Sequence, residues 1–297
     1  MGLYAGVWLV QKMGRRFYLL QCGLCNRGIR YMNAQHVVII TGKGGVGKTT
    51  IAVNMAVLWA QEGWEVGLLD ADIHSPNIPR MLGIKPQGIE GLVEGIEPAS
   101  PMEGLKVVSM ALFLHNQETP IAWRGPIKQG VIKQFISDSH WGELDFLIVD
   151  LPAGTGDEAM SAVHFLKGVA GALIVTTPQA LSLLEAQRTA SFFRQLHVPA
   201  IGLIENMVDF TCPHCERPLT PFGKGEGERV AKDLEMPFLG RIPVDPEVSK
   251  CSDKGEPFIT SFPRSKTASK LSEIGQRCKE LIEEGVRLTL VTQVLYK

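Results

Sequence analysis

The chain has 297 residues, of which 45% are apolar and 21% charged, and its net charge is −1. That balance excludes a disordered chain, a collagen-like chain and a disulfide-dense mini-scaffold, and it gives no global basic field to recruit nucleic acid. No uncharged apolar run reaches the length of about 18 residues that a transmembrane helix needs, and the length suits one large α/β domain or two small ones.

Residues 1–31 form a distinct piece. They carry Lys12, Arg15, Arg16, Arg27 and Arg30 and no acid. Setting those five aside leaves 25 basic residues against 31 acidic ones, a net of −6. The apolar run Leu3–Val10 precedes the basic residues, which is the wrong order for a secretory signal, and the segment is poor in Ser for a transit peptide. Residues 1–31 therefore read as an extension, with Met32 an alternative start to Met1. Residues 32–297 read as a single domain.

From His36 onward, short β-rich runs alternate with helical ones. Strands are predicted at His36–Thr41, Val66–Asp70, Lys106–Met110, Phe146–Asp150, Ala172–Thr176 and Ala200–Glu205. Helices are predicted over 47–61, 126–138, 157–167, 180–196 and 266–284, the last ending at Gly285. Residues 83–104 read as a surface excursion, and the tail from Val286 is ambiguous. Nearly continuous apolar strands alternating with helices predict a doubly wound, mostly parallel α/β sheet flanked by helices.

Gly42-Lys43-Gly44-Gly45-Val46-Gly47-Lys48-Thr49 fits G-x-x-x-x-G-K-[ST] and lies between a strand and a helix. Glycines let backbone N–H groups turn inward around phosphate oxygens, and the helix N-terminus adds its positive end. Lys48 is placed to neutralise the β- and γ-phosphates, and Thr49 to bind Mg²⁺. Asp70 and Asp72 close the second strand, where ligands bind in such sheets. Asp150 ends Phe146–Asp150, which looks like a Walker B strand. The loop from Pro152 to Asp157 then reads as a switch that senses the γ-phosphate.

Six cysteines are present, two pairs of them with C-x-x-C spacing: Cys22/Cys25 and Cys212/Cys215. Without a secretory signal a reducing cytosol is expected, so metal or redox roles outrank disulfides. Cys212 and Cys215 could hold an iron–sulfur cluster, share a zinc ion, act as a redox pair or simply pack. His214 reads as solvent-facing or as a support to the pair. Cys22 and Cys25 make only half of a four-cysteine site, and their role stays open. Cys251 and Cys278 read as packing residues.

The loop G-K-G-G-V-G-K-T-T resembles the deviant phosphate loop of the MinD/ParA class of P-loop ATPases. The segments Asp70–Pro79, Trp123–Pro126, Asp150–Glu158, Val175–Leu181, Gly202–Met207 and Gly240–Pro243 are similar to those of the Mrp/ApbC family of iron–sulfur cluster carriers. The resemblance covers about 36–284, and Ala153 departs from it where the family often has proline. It implies a cytoplasmic ATPase that works as a homodimer, binds ATP and Mg²⁺, and carries a [4Fe–4S] cluster shared across the dimer to apo iron–sulfur proteins and assembly factors. Gly42 to Thr50 would hold ATP, with Lys43 reaching the partner's nucleotide. Asp72 would orient water, with Asp70 a supporting acid beside Thr49 and Asp150 at Mg²⁺. Asn206 would meet the adenine edge. Cys212 and Cys215, in an insertion near 208–222, would ligate the cluster. No basic patch points to nucleic acid as partner, and the tail Val286–Lys297, with only Arg287 and Lys297 as cations, is a weak match for an anionic membrane. Two further readings are an ATP-switched MinD/ParA-like organiser with a structural zinc site, and a reductase component similar to the nitrogenase iron protein.

Overall fold

A computed structural model describes residues 7–13, 16–22, 33–86, 95–114, 123–212, 214–215 and 217–295, with 7–22 and 286–295 described by backbone alone. Met32 and Cys25 lie outside the described residues, and of Cys22 only the backbone is described.

The described residues open with an antiparallel pair, β1 (Val7–Met13) and β2 (Arg16–Cys22), which among the described residues pair only with each other. Then follow β3 (Asn33–Gly42), α1 (Lys48–Gln61), β4 (Val66–Asp70), α2 (Ile78–Met81), β5 (Ala99–Met102) and β6 (Leu105–Val108). Next come α3 (Gly125–Ser137), β7 (Glu143–Asp150), α4 (Asp157–Phe165), β8 (Val169–Thr176), α5 (Ala180–Gln195) and β9 (Ala200–Asn206). The two-residue strands β10 (Phe210–Thr211) and β11 (Pro218–Leu219), α6 (Gly227–Asp233), β12 (Phe238–Ile242), α7 (Pro246–Lys254), α8 (Phe258–Ser261) and α9 (Lys266–Leu295) complete it.

Eight strands form one sheet in the order β12-β9-β8-β3-β7-β4-β6-β5. All neighbours run parallel except β5, which is antiparallel to β6. Both faces are covered, and alternate residues of one strand serve opposite cores. Val38 and Ile40 of β3 pack with Met55 and Trp59 of α1 and Ile274 of α9. Val37 and Ile39 pack with Phe135 of α3, Ala162 of α4 and Phe193 of α5. All four β3 side chains are fully buried, each contributing about 2 kcal/mol. This is why β3 reads as an uninterrupted apolar run instead of an alternating one.

Four expectations are corrected. The run Lys106–Met110 is a strand only to Val108; Ser109 then caps a 3₁₀ turn, Met110–Phe113, by accepting the Ala111 N–H. The excursion at 83–104 contains the edge strand β5. The last helix passes Gly285 and runs to Leu295, because a single glycine weakens a helix without ending it. The first sheet strand starts at Asn33, three residues before the apolar run.

Candidate nucleotide and metal site

Three carboxyl ends of the central strands meet at the phosphate loop. β3 runs directly into it, and the parallel register pairs Asp70 of β4 with Asp150 of β7, and Ile40 of β3 with Asp150. The loop needs glycine where it turns. Gly42 has φ +148°, and a Cβ there would stand 2.2 Å from the Val175 carbonyl oxygen. Gly47, the N-cap of α1 at φ +92°, would press a Cβ to within 2.4 Å of Asn206 Nδ2.

A cavity of about 390 Å³ is lined by Gly44, Gly45, Gly47, Lys48, Thr49, Thr50, Asp72, Ala153 and Met207. A smaller one of about 160 Å³ lies beside it, against Lys43, Gly44, Gly45, Val46, Gln179, Met207 and Phe222 among others. The predicted loop residues Gly44 to Thr50 and Lys43 thus border one continuous region. Asn206 lies behind it, its Nδ2 donating to the Val46 carbonyl at 2.8 Å.

The charges are stacked in depth. Thr49 Oγ1 donates to Asp150 Oδ2 at 2.6 Å. The other oxygen, Oδ1, is buried and has no hydrogen-bond partner among the described residues. Burial pushes the Asp150 carboxyl up to about 7, although Thr49 and Lys48 favour its ionised form. Burial likewise lowers the Lys48 pKa, partly offset by Asp150 and Asp72. An orphaned carboxylate oxygen beside a threonine hydroxyl is a hard-oxygen set that fits Mg²⁺, which keeps several waters and takes one or two protein oxygens.

Asp70 stands further in. Its Oδ2 accepts from Ser109 Oγ at 2.8 Å and from the Ile78 N–H at 3.3 Å, and its Oδ1 accepts from the Asp72 N–H at 3.3 Å. Burial and the nearby Asp150 hold its carboxyl well above the usual range. That engagement suits a supporting acid. Asp72, by contrast, borders the cavity, and its Oδ1 accepts from the Ser75 N–H at 3.1 Å.

Sequence reasoning missed a cluster beside this loop. Lys128 of α3 pairs with Glu158 in the first turn of α4, and its Nζ lies 2.9 Å from His74 Nε2. It also missed Ser109 and the fully buried Glu205, which takes the Gly227 N–H at 2.8 Å and Arg241 Nε at 3.2 Å. A buried acid at the end of an apolar strand was the one available signal, and it sat directly before Asn206.

Cys212 and Cys215 lie far along the chain, on the turn of the small β10–β11 hairpin. The hairpin is closed by Phe210 opposite Leu219 and by the Cys212 N–H on the Arg217 carbonyl at 3.0 Å. Both cysteines are free, Cys212 half-buried and Cys215 exposed, and His214 is exposed as expected. Backbone N–H groups of His214 and Cys215, with the Cys215 side chain, lower the Cys212 pKa. A stabilised thiolate is the form that binds metal. Cys251 and Cys278 are buried in the core, and burial raises the Cys278 thiol pKa, as suits packing residues.

A strand–glycine loop–helix with Lys48 and Thr49, set beside Asp150 on the neighbouring strand, defines a P-loop NTPase. The family model described as "ParA: NUBPL iron-transfer P-loop NTPase" matches residues 33–279, and the chain belongs to that family. An iron–sulfur cluster carrier protein of Methanococcus maripaludis is 46% identical over 227 residues, covering 75% of this chain and 78% of the relative. The cytosolic Fe–S cluster assembly factor NUBP2 of Bos taurus is 41% identical over 254 residues, covering 84% and 92%. A nucleotide-binding protein of Archaeoglobus fulgidus, solved with ADP, superposes with TM-score 0.63 at 32% identity, covering 79% of this chain and 94% of that one. The cell-division ATPase MinD of Pyrococcus furiosus shares the fold, with TM-score 0.60 at 22% identity over 83% of this chain and 99% of that one. No described helix is long and apolar enough to cross a membrane.

Proposed function

We propose that this protein is an ATP-hydrolysing carrier that holds a [4Fe–4S] cluster between two copies of itself and passes it to apo iron–sulfur proteins in the cytosol. The observation that carries the reading is a half-complete thiolate site. Cys212 and Cys215 stand together on an accessible hairpin, and among the described residues no group of three or more His, Cys, Asp or Glu is placed to hold a metal ion. A cluster takes four thiolates, and a two-fold axis brings two such pairs together. The names of the relatives support the same cargo. Residues 32–297 would be the working unit.

ATP would lie along the loop from Gly42 to Thr50, with its adenine edge toward Asn206. Lys48 would meet the β- and γ-phosphates, and Lys43 would reach the partner's nucleotide. Thr49 and Asp150, with Asp70 behind them, would hold Mg²⁺, whose charge offsets that of the phosphates. Asp72 would orient the water that attacks the γ-phosphorus as the bond to the β–γ bridging oxygen breaks. Catalysis is then mainly positioning and charge neutralisation. Dimer closure driven by ATP would alter the exposure of the shared cluster.

The test is the iron, zinc and acid-labile sulfide content of anaerobically reconstituted dimer, for wild type and Cys212→Ser. About four iron and four sulfide per dimer, lost in the variant, is the expected result. Zinc without sulfide would overturn it and favour an ATP-switched organiser.

A further inference from the structure

Among the described residues three non-glycines have positive φ: His197, Met207 and Glu235. His197 and Glu235 come directly after the caps of α5 and α6, where a left-handed residue closes a helix. Met207, at φ +60°, follows a strand and has no such excuse. Left-handed conformations at non-glycine residues persist only where the surroundings impose them.

Those surroundings link the phosphate loop to the segment that enters the cysteine hairpin. On one side, Asn206 Nδ2 holds the Val46 carbonyl of the phosphate loop. Met207 itself borders both cavities along that loop, and its Cε lies 3.7 Å from where a Cβ at position 47 would stand. On the other side, the chain leaving Met207 is fastened by Val208 N–H to the Ile242 carbonyl and by Val244 N–H to the Asp209 carbonyl, and then enters the cysteine hairpin. The returning chain is fastened to the same place at the start of α6, because Gly227 N–H donates to Glu205 Oε1. The whole excursion bearing Cys212 and Cys215 therefore hangs from Glu205 to Asp209.

The loop also carries an internal bond beside the place where phosphate would bind. Lys48 Nζ donates to the Lys43 carbonyl at 3.2 Å. The Lys48 ammonium keeps two further N–H donors for a phosphate, which would then lie against residues 43–46. Val46, held by Asn206, lies in that stretch.

We infer that Met207 is a positioning residue that transmits nucleotide binding at the phosphate loop to the Cys212–Cys215 hairpin. Its side chain lies along the loop, and its constrained backbone turns a shift there into a shift of the strand that enters the hairpin. The inference deepens the carrier reading by naming where the two sites are joined.

The readout needs no cluster. Alkylation of Cys212 and Cys215 by iodoacetamide is followed by peptide mass spectrometry on the full, reduced, metal-free chain. It is done without nucleotide and with saturating magnesium and a non-hydrolysable ATP analogue, saturation being set by titration for each variant. In wild type the analogue should slow Cys212 alkylation threefold or more. Met207→Gly adopts the same φ without strain and loses the side chain, so the nucleotide effect should fall below 1.5-fold. Met207→Leu keeps a side chain over the loop and should restore at least half of the wild-type effect. A full effect in Met207→Gly, or none in wild type, overturns the inference. Metal and sulfide analysis decides the carrier reading separately.

Discussion

Asp150→Asn should stabilise the nucleotide-free protein, and on the carrier reading it should also abolish ATP hydrolysis. Burial moves the Asp150 carboxyl from 3.8 to about 7. An acid with a raised folded pKa binds more protons folded than unfolded, so it costs stability as pH rises. The cost begins near pH 3.8 and levels off above about pH 7. Three pKa units correspond to about 4 kcal/mol at pH 8. Asn keeps an acceptor for Thr49 but introduces a buried N–H in need of a partner, which costs about 1–3 kcal/mol. The net gain at pH 8 is then ~1–3 kcal/mol, roughly 2–10 °C in Tm for a domain of this size. Relief of the neighbouring Asp70, whose carboxyl Asp150 also pushes up, acts in the same direction. Thermal melts of wild type and variant, with chelator present, at pH 5 and pH 8 provide the assay. The advantage should be plain at pH 8 and nearly gone at pH 5. A variant no more stable than wild type at pH 8, or one equally favoured at both pH values, would refute the reasoning. The gain would also show that the acid is kept for binding at the expense of stability.

Gly42→Ala places a Cβ 2.2 Å from the Val175 carbonyl oxygen, between two central strands that cannot separate. A loss of about 4 kcal/mol or more is expected, measured by urea unfolding, and a wild-type midpoint would contradict it. Lys128 and Glu158 tie α3 to the start of α4, both side chains mostly buried. A double-mutant cycle with Lys128→Met and Glu158→Gln should give a coupling of about 1–3 kcal/mol at pH 7. Burial pushes the Glu158 pKa up, but Lys128, the Glu158 backbone N–H and His74 together outweigh this and the net shift is downward, so the coupling should fade as pH falls below about 4.5. No coupling at pH 7 would mean that the start of α4 is held by other contacts.

Much of the site was legible because its chemistry is local. The phosphate loop, Asp70, Asp72 and Asp150 each sit at the end of an apolar strand, so one motif and one period located them. The small elements after Asn206 were harder. Asp245 before Pro246 and Gly255 after Lys254 do mark α7, where Asp245 caps the Glu247 N–H and Gly255 takes φ +76°. The hairpin of β10 and β11 has only two residues per strand, too few for any alternation to register.

The sequence by itself determined a parallel α/β sheet, a phosphate loop at the end of its first sheet strand and a closely spaced thiol pair, because periodicity and short-range spacing carry that information. Only the tertiary structure decided the rest. The register of β4 against β7 set Asp70 beside Asp150 and buried both. The closure of β5 onto β6 turned an apparent loop into a sheet edge. The convergence of Val46, Asn206 and Met207 brought residues 160 positions apart to one contact. Burial, charge coupling and backbone strain arise between segments distant in the chain, and no local pattern records which distant segment will become a neighbour.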